Sequence, residues 1–147
     1  MSLWPELRPH WRPPHAYIPG KTARHPEDWF DQIKASVAGV PPSRLHHTVA
    51  FQTGLAYFGE GFFWECHEVL EAVWMRTAER SVERALVVAL IQLANARLKL
   101  EMSRPRAARR LCDIVDTHLC RCEGHRRVLG VGIADLTKEL TETRDSL

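Results

Sequence analysis

The chain has 147 residues, a length typical of one domain that buries a core without disulfides or a structural metal. Its 45% hydrophobic and 26% charged residues exclude collagen, wholesale disorder and a disulfide scaffold. The formal charge of +2 makes a dedicated nucleic-acid binder an unfavoured class. The four cysteines follow no secretory leader, and no apolar run has membrane length. We therefore expect a cytoplasmic protein with reduced thiols and no membrane contact.

Residues 1–42 form a proline- and aromatic-rich N-terminal arm. Eight of the nine prolines lie there, with the aromatic residues Trp4, Trp11, Tyr17, Trp29 and Phe30. Prolines remove backbone donors, yet disordered tails seldom carry so many rings. We expect an ordered arm that packs on the body or joins a homo-oligomer, with a partly disordered tail as the alternative. The run His25-Pro26-Glu27-Asp28 predicts one short helix within it.

The segment 43–147 is predicted to be a helical bundle domain. Ser43 is the expected cap of the first main helix, which ends at Gly59-Glu60-Gly61. Hydrophobic spacing predicts three further helices over about 62–77, 82–102 and 105–124, and Asp135 is the expected cap of a last one. No strand is expected. The fold class is all-α, a single-domain bundle of about five main helices plus the short helix of the arm.

The third main helix is predicted to be the buried centre of this bundle. Apart from Gln92, residues 85–94 are apolar, and they cover every side of the helical wheel, which is typical of a central helix. Gln92, Asn95 and Lys99 nevertheless share one stripe of that wheel. An unpaired buried polar group costs roughly 1–3 kcal/mol. The stripe therefore predicts polar groups on a facing helix.

The second main helix supplies the candidate functional residues. His67 and Glu71 are four positions apart, so their side chains share one patch of surface, and Glu68 lies one turn before Glu71. An imidazole and a carboxylate with this spacing can bind one divalent metal ion from a single helix. Trp74 and Gln92 are candidates for ligand contacts, Trp74 as a wall and Gln92 from the facing helix.

Glu65 lies on the opposite edge of the apolar arc of that helix, so it is not expected at the same site.

Several functions remain open for these residues. In a metal site His67 and Glu71 would be the ligands, and Glu68 and Glu71 would be the catalytic carboxylates. Coordination positions left open on the metal ion would suit metal-assisted hydrolysis. Without a metal, Glu71 would hold the His67 tautomer for general-base chemistry on a small molecule. The same residues could instead form a buried structural network in a non-catalytic interaction module. The simplest interpretation is a half-buried His67 in a salt bridge with Glu71 of its own helix.

The fourth main helix offers two competing features. Its N-terminal end carries Arg104, Arg106, Arg109 and Arg110. This end could bind phosphate or nucleic acid, although a solvated face explains it more simply. Its other end carries His118, Cys122 and His125, which have the side chains of zinc ligands, whereas packing of small apolar cysteines is the simpler interpretation.

The residues around His67 resemble a known family. The run 63–74, with Gly54 and Tyr57-Phe58 before it and 90–94 after it, is similar to a bacterial and archaeal family known as domain of unknown function 309. Its core pattern is H-x-x-x-E-x-x-W, here His67, Glu71 and Trp74. The resemblance extends over about 17–140, and the segments 17–20 and 24–27 resemble the arm of proteobacterial members.

The resemblance implies a small helical protein with a suggested metal site, and some members are labelled metal-dependent hydrolases. Members often carry a histidine late in the third main helix, where this chain has Lys99. A protonated lysine is a poor metal ligand.

Overall fold

A computed structural model describes residues 11–147, and nearly all of its regular structure is helical. Two 3₁₀ turns lie at Glu27–Phe30 and Pro42–His47. The α-helices are α1 Asp31–Ala35, α2 Val49–Glu60, α3 Phe63–Trp74, α4 Val82–Glu101, α5 Pro105–Cys120 and α6 Ile133–Asp145. A short antiparallel ladder joins β1 Arg127–Val128 to β2 Val131–Gly132. The predicted all-α class is confirmed over this part of the chain.

Helix α4 packs against both α3 and α5 and forms the centre of the bundle. Val87 and Leu93 point to different sides of α4, about 120° apart around its axis, and both are 0% exposed. Burying one such side chain contributes roughly 1.5–3 kcal/mol, so a helix that is apolar all round is most stable in a central position. No helix within residues 11–147 is both long and apolar enough to cross a bilayer.

The prediction that Ser43 caps the first main helix is wrong. Ser43 lies inside the 3₁₀ turn, and α2 begins after Thr48. The Thr48 hydroxyl donates to the Leu45 carbonyl at 2.7 Å and accepts a hydrogen bond from the Phe51 N–H at 3.2 Å. One threonine therefore closes the turn and begins the helix, because its extended backbone suits an N-cap.

Asp135 does not cap the last helix either. Helix α6 begins at Ile133, whose N–H donates to the Arg126 carbonyl at 3.0 Å, so the preceding hairpin supplies the acceptor.

The hairpin itself corrects the expectation of no strand. Leu129 and Gly130 have φ of 49° and 74°, as a two-residue type I′ turn requires. Its strands are too short to show an alternating pattern.

The described part of the N-terminal arm, residues 11–42, lies against the helices of the same chain. The Tyr57 hydroxyl of α2 donates to the Trp11 carbonyl at 2.7 Å, and Phe30 joins the buried core. The arm is therefore ordered over these residues. Residues 1–10 of the predicted arm, including Trp4, lie outside the described residues. The division at residue 42 and the joining of two subunits stay predictions.

Candidate metal site

The candidate site lies along the edge of α3 that faces α4. The buried apolar residues of α3 are Cys66, Val69, Leu70 and Val73, and Glu65 is buried beside them. Gly54 of α2 lets these apolar residues approach closely, since a methyl group at Gly54 would lie 2.5 Å from Leu70 Cδ2. With α3 held against α2 in this way, His67 and Glu71 turn toward α4.

A cavity of about 280 Å³ lies between α3 and α4. Its α3 wall consists of His67, Glu71 and Trp74, and its α4 wall of Val88, Ile91, Gln92 and Asn95. The structure thus brings together four of the predicted site residues. The polar stripe of α4 meets polar groups of α3, as its sequence indicates, but Lys99 does not line the cavity.

His67 and Glu71 lie at ion-pair distance on one helix, longer than a good hydrogen bond. His67 Nε2 and Glu71 Oε2 lie 3.5 Å apart, and a good N–H···O bond spans about 2.7–3.2 Å. Two ligand atoms about 2.1 Å from a tetrahedral zinc ion lie roughly 3.4 Å from each other. The His67 side chain is 26% exposed and that of Glu71 is 55% exposed, so the pair is open to solvent.

The imidazole of His67 also has an unsatisfied nitrogen. Its Nδ1 atom is shielded from solvent, and no group in residues 11–147 forms a hydrogen bond with it. Buried polar atoms normally have a partner. The two nearby amides share one hydrogen bond, in which Asn95 Nδ2 donates to Gln92 Oε1 at 3.2 Å. The Nδ1 atoms of His25, His46 and His118 also lack a partner within residues 11–147, so this feature does not distinguish His67.

Glu68 belongs to the same cluster but not to the cavity wall. One ligand atom from each of His67, Glu68 and Glu71 can be chosen so that all three lie within 4.8 Å of one another. Across residues 11–147 this is the one group of three metal-ligating residues with such spacing. Glu68 Oε1 also accepts a hydrogen bond from Lys34 Nζ at 2.6 Å. Lys34 is not predicted from the sequence, because only tertiary packing brings α1 to α3.

Trp74 is held in the cavity wall by Arg84 of α4. The guanidinium carbon of Arg84 lies 4.5 Å from the centre of the Trp74 ring, and Arg84 Nε donates to Thr77 Oγ1 at 3.0 Å. A cation over an indole face is attracted by the ring electrons. Arg84 is a further residue that the sequence analysis misses, since no local pattern pairs it with Trp74.

A second histidine–carboxylate pair lies on the other side of α3. His25 Nε2 and Glu65 Oε2 are 2.7 Å apart, and their side chains are 1% and 0% exposed. The Tyr17 N–H donates to the same oxygen at 2.8 Å, and the His25 ring stacks on Trp29. Glu65 is away from the cavity, as expected. A carboxylate that is buried on an aromatic-rich helix needs a partner, because leaving it unpaired is costly. This cost is the one indication in the sequence that Glu65 has a partner such as His25.

The competing features of α5 do not form a comparable site. His118, Cys122 and His125 are not among the clustered ligands in the described part of the chain. Cys122 is buried, and burial raises the pKa of its thiol, which favours the protonated form. The four predicted arginines at the start of α5 are exposed, and anion binding there stays a prediction.

Comparison with known proteins gives one match. The model of a family described as Domain of unknown function (DUF309) matches residues 51–111. No curated protein and no solved structure matches the chain. The matched segment runs from α2 into α5 and includes every residue that lines the cavity. The resemblance of this chain to the family DUF309 is therefore confirmed over the segment that forms the candidate site.

Proposed function

We propose that His67 and Glu71 bind a divalent metal ion at the mouth of the cavity between α3 and α4. The observation that carries this proposal is the cluster of His67, Glu68 and Glu71, whose ligand atoms lie within 4.8 Å of one another, with His67 and Glu71 in the cavity wall.

The rest of the cavity suits a small ligand beside such an ion. Two protein ligands leave coordination positions for water, which a bound cation activates for hydrolysis. Glu71 and the neighbouring Glu68 are the carboxylates that would handle protons there. Gln92 would orient the ligand from α4, and Trp74 would exclude water from one side. Metal-assisted hydrolysis of a small polar substrate is therefore the reaction class that we propose.

The alternative of a non-catalytic module receives less support at this position. A structural histidine–carboxylate network needs burial and short hydrogen bonds. Those properties belong to His25 and Glu65 rather than to His67 and Glu71. The open pair is thus free for another role.

The metal proposal is tested by calorimetric titration of tag-free protein with Zn²⁺ and Mn²⁺. We expect binding near one equivalent, and a loss of at least tenfold in affinity in His67→Ala and Glu71→Gln, as for removal of a metal ligand or its close support. The exposed residues His125 and Glu79 supply matched controls, His125→Ala and Glu79→Gln, which should bind as the wild type does.

Hydrolysis is tested on the metal-loaded protein with chromogenic carboxylic and phosphoric esters. Turnover that disappears in His67→Ala supports the proposed reaction class. A wild-type protein that binds neither metal rejects the site itself, whereas metal binding without turnover rejects only the reaction class.

A further inference from the structure

Glu68 is shared between the candidate metal cluster and the N-terminal arm. Its Oε1 atom accepts a hydrogen bond from Lys34 Nζ at 2.6 Å, while a ligand atom of Glu68 lies within 4.8 Å of those of His67 and Glu71. The side chains of Lys34 and Glu68 are 29% and 24% exposed. Solvent therefore screens this charge pair less than it would a fully exposed one.

The ammonium group of Lys34 opposes a divalent cation in two ways. It occupies lone pairs of the carboxylate that a metal would use, because a lysine is only a hydrogen-bond donor. It also places a positive charge next to the site, which repels another cation. Glu68 points to Lys34 and is not part of the cavity wall, as expected for a carboxylate that already has a cationic partner.

We propose that Lys34 competes with the divalent cation for Glu68 and so limits the affinity of the site. This inference rests on the proposed function. When a metal binds at His67 and Glu71, Glu68 exchanges Lys34 for the metal and becomes the third protein ligand. Lys34 acts through Glu68 and is a positioning residue, not a catalytic one.

The competition couples the metal site to the arm. Lys34 lies on α1, and the arm is also held to α3 by the buried pair of His25 and Glu65, one turn before Glu68. Coupling between two binding events is reciprocal. Metal that takes Glu68 therefore removes one contact of the arm, and a firmly held arm lowers the affinity for metal.

The test compares four variants by titration with Zn²⁺ and Mn²⁺ at low salt: Lys34→Gln, Lys34→Arg, Glu68→Gln and the double variant Lys34→Gln/Glu68→Gln. Removing one charge at a partly exposed site should raise the affinity of Lys34→Gln by about three- to tenfold. Lys34→Arg keeps the charge and should bind as the wild type does. The double variant should bind no more tightly than Glu68→Gln alone, since the gain acts through Glu68.

Two results would overturn the inference. One is an affinity of Lys34→Gln that equals or falls below that of the wild type. The other is a gain that persists when Glu68 is replaced, because the lysine would then act through space alone. Thermal melting checks the fold, and Lys34→Met repeats the test if Lys34→Gln is unfolded. Absence of metal binding in every variant rejects the proposed function, whereas wild-type binding that is insensitive to Lys34 rejects this inference only.

Discussion

Helix α3 carries two histidine–carboxylate pairs that differ in burial and geometry. His25 and Glu65 are 2.7 Å apart with side chains at most 1% exposed. His67 and Glu71 are 3.5 Å apart with side chains 26% and 55% exposed. The first pair is closed over by the arm, and the second opens on a cavity.

The difference follows from where each histidine comes from. His67 and Glu71 belong to one helix, so both side chains leave the same surface and one side of the pair stays open. His25 lies 40 residues before Glu65 and arrives on another segment, which covers the carboxylate. An imidazole and a carboxylate therefore hold the arm at His25 and Glu65, whereas at His67 and Glu71 they stay accessible to a ligand.

The largest expected effect is a difference in protein stability between variants of the two pairs. Glu65→Ala leaves His25 buried without its hydrogen-bond partner and should lower the free energy of unfolding by about 1–3 kcal/mol. Glu71→Ala removes a half-exposed partner and should change it by less than about 0.5 kcal/mol. Urea denaturation followed by circular dichroism measures both. Equal losses in the two variants would mean that burial does not distinguish the pairs.

A smaller effect is expected at the wall of the open pair. Arg84→Met removes the guanidinium from the Trp74 ring and should lower the free energy of unfolding by about 0.5–1 kcal/mol. The tryptophan should also become easier to quench with the neutral quencher acrylamide once its cover is lost. Arg106→Met on the exposed face of α5 is the matched control and should alter neither value. An unchanged Arg84→Met protein would show that Trp74 is held by packing alone.

The smallest expected effect concerns two histidines that have no carboxylate partner, and it is a change of stability with pH. For His46 and His118 no ion pair is found within residues 11–147, and burial lowers the pKa of both below 6.5, with the charge of Arg121 adding to the effect at His118. As the pH falls, these two histidines are therefore protonated at a higher pH in the unfolded chain than in the folded protein. Their contribution to stability is intact above pH 6.5 and decreases as the pH falls below it.

Thermal melting between about pH 7 and pH 5 tests this sign. His118→Gln should flatten the acid-induced decrease in melting temperature, because the group that must be protonated on unfolding is gone. His125→Gln, at an exposed position, should follow the wild-type curve. Parallel curves for all three proteins would contradict the proposed role of burial.

Helical spacing accounts for the part of the fold and site that was predictable. The all-round apolar run of 85–94 predicts that α4 is central, and Leu90 and Leu93 are buried as that pattern requires. The i, i+4 spacing predicts that His67 and Glu71 share one surface. The polar stripe with Gln92 indicates a polar neighbour, which α3 supplies. Each of these predictions depends on contacts within one or two helices.

Other features depended on contacts between distant segments. Ser43 and Thr48 are both acceptable helix caps, and the 3₁₀ turn ending at His47 decides between them. The hairpin before α6 is too short to leave an alternating pattern. The local sequence around His25 indicates only the start of a helix, although the His25 ring is the partner of buried Glu65.

The sequence by itself determined the all-α class, the central helix and a histidine–glutamate surface on α3, because helical periodicity is a local property of the chain. Tertiary structure decided that this surface borders a cavity, that Glu65 lies beneath the arm and that Glu68 meets Lys34. Which charges meet across the fold depends on packing between segments that are 34 and 40 residues apart along the chain. No local pattern contains that information.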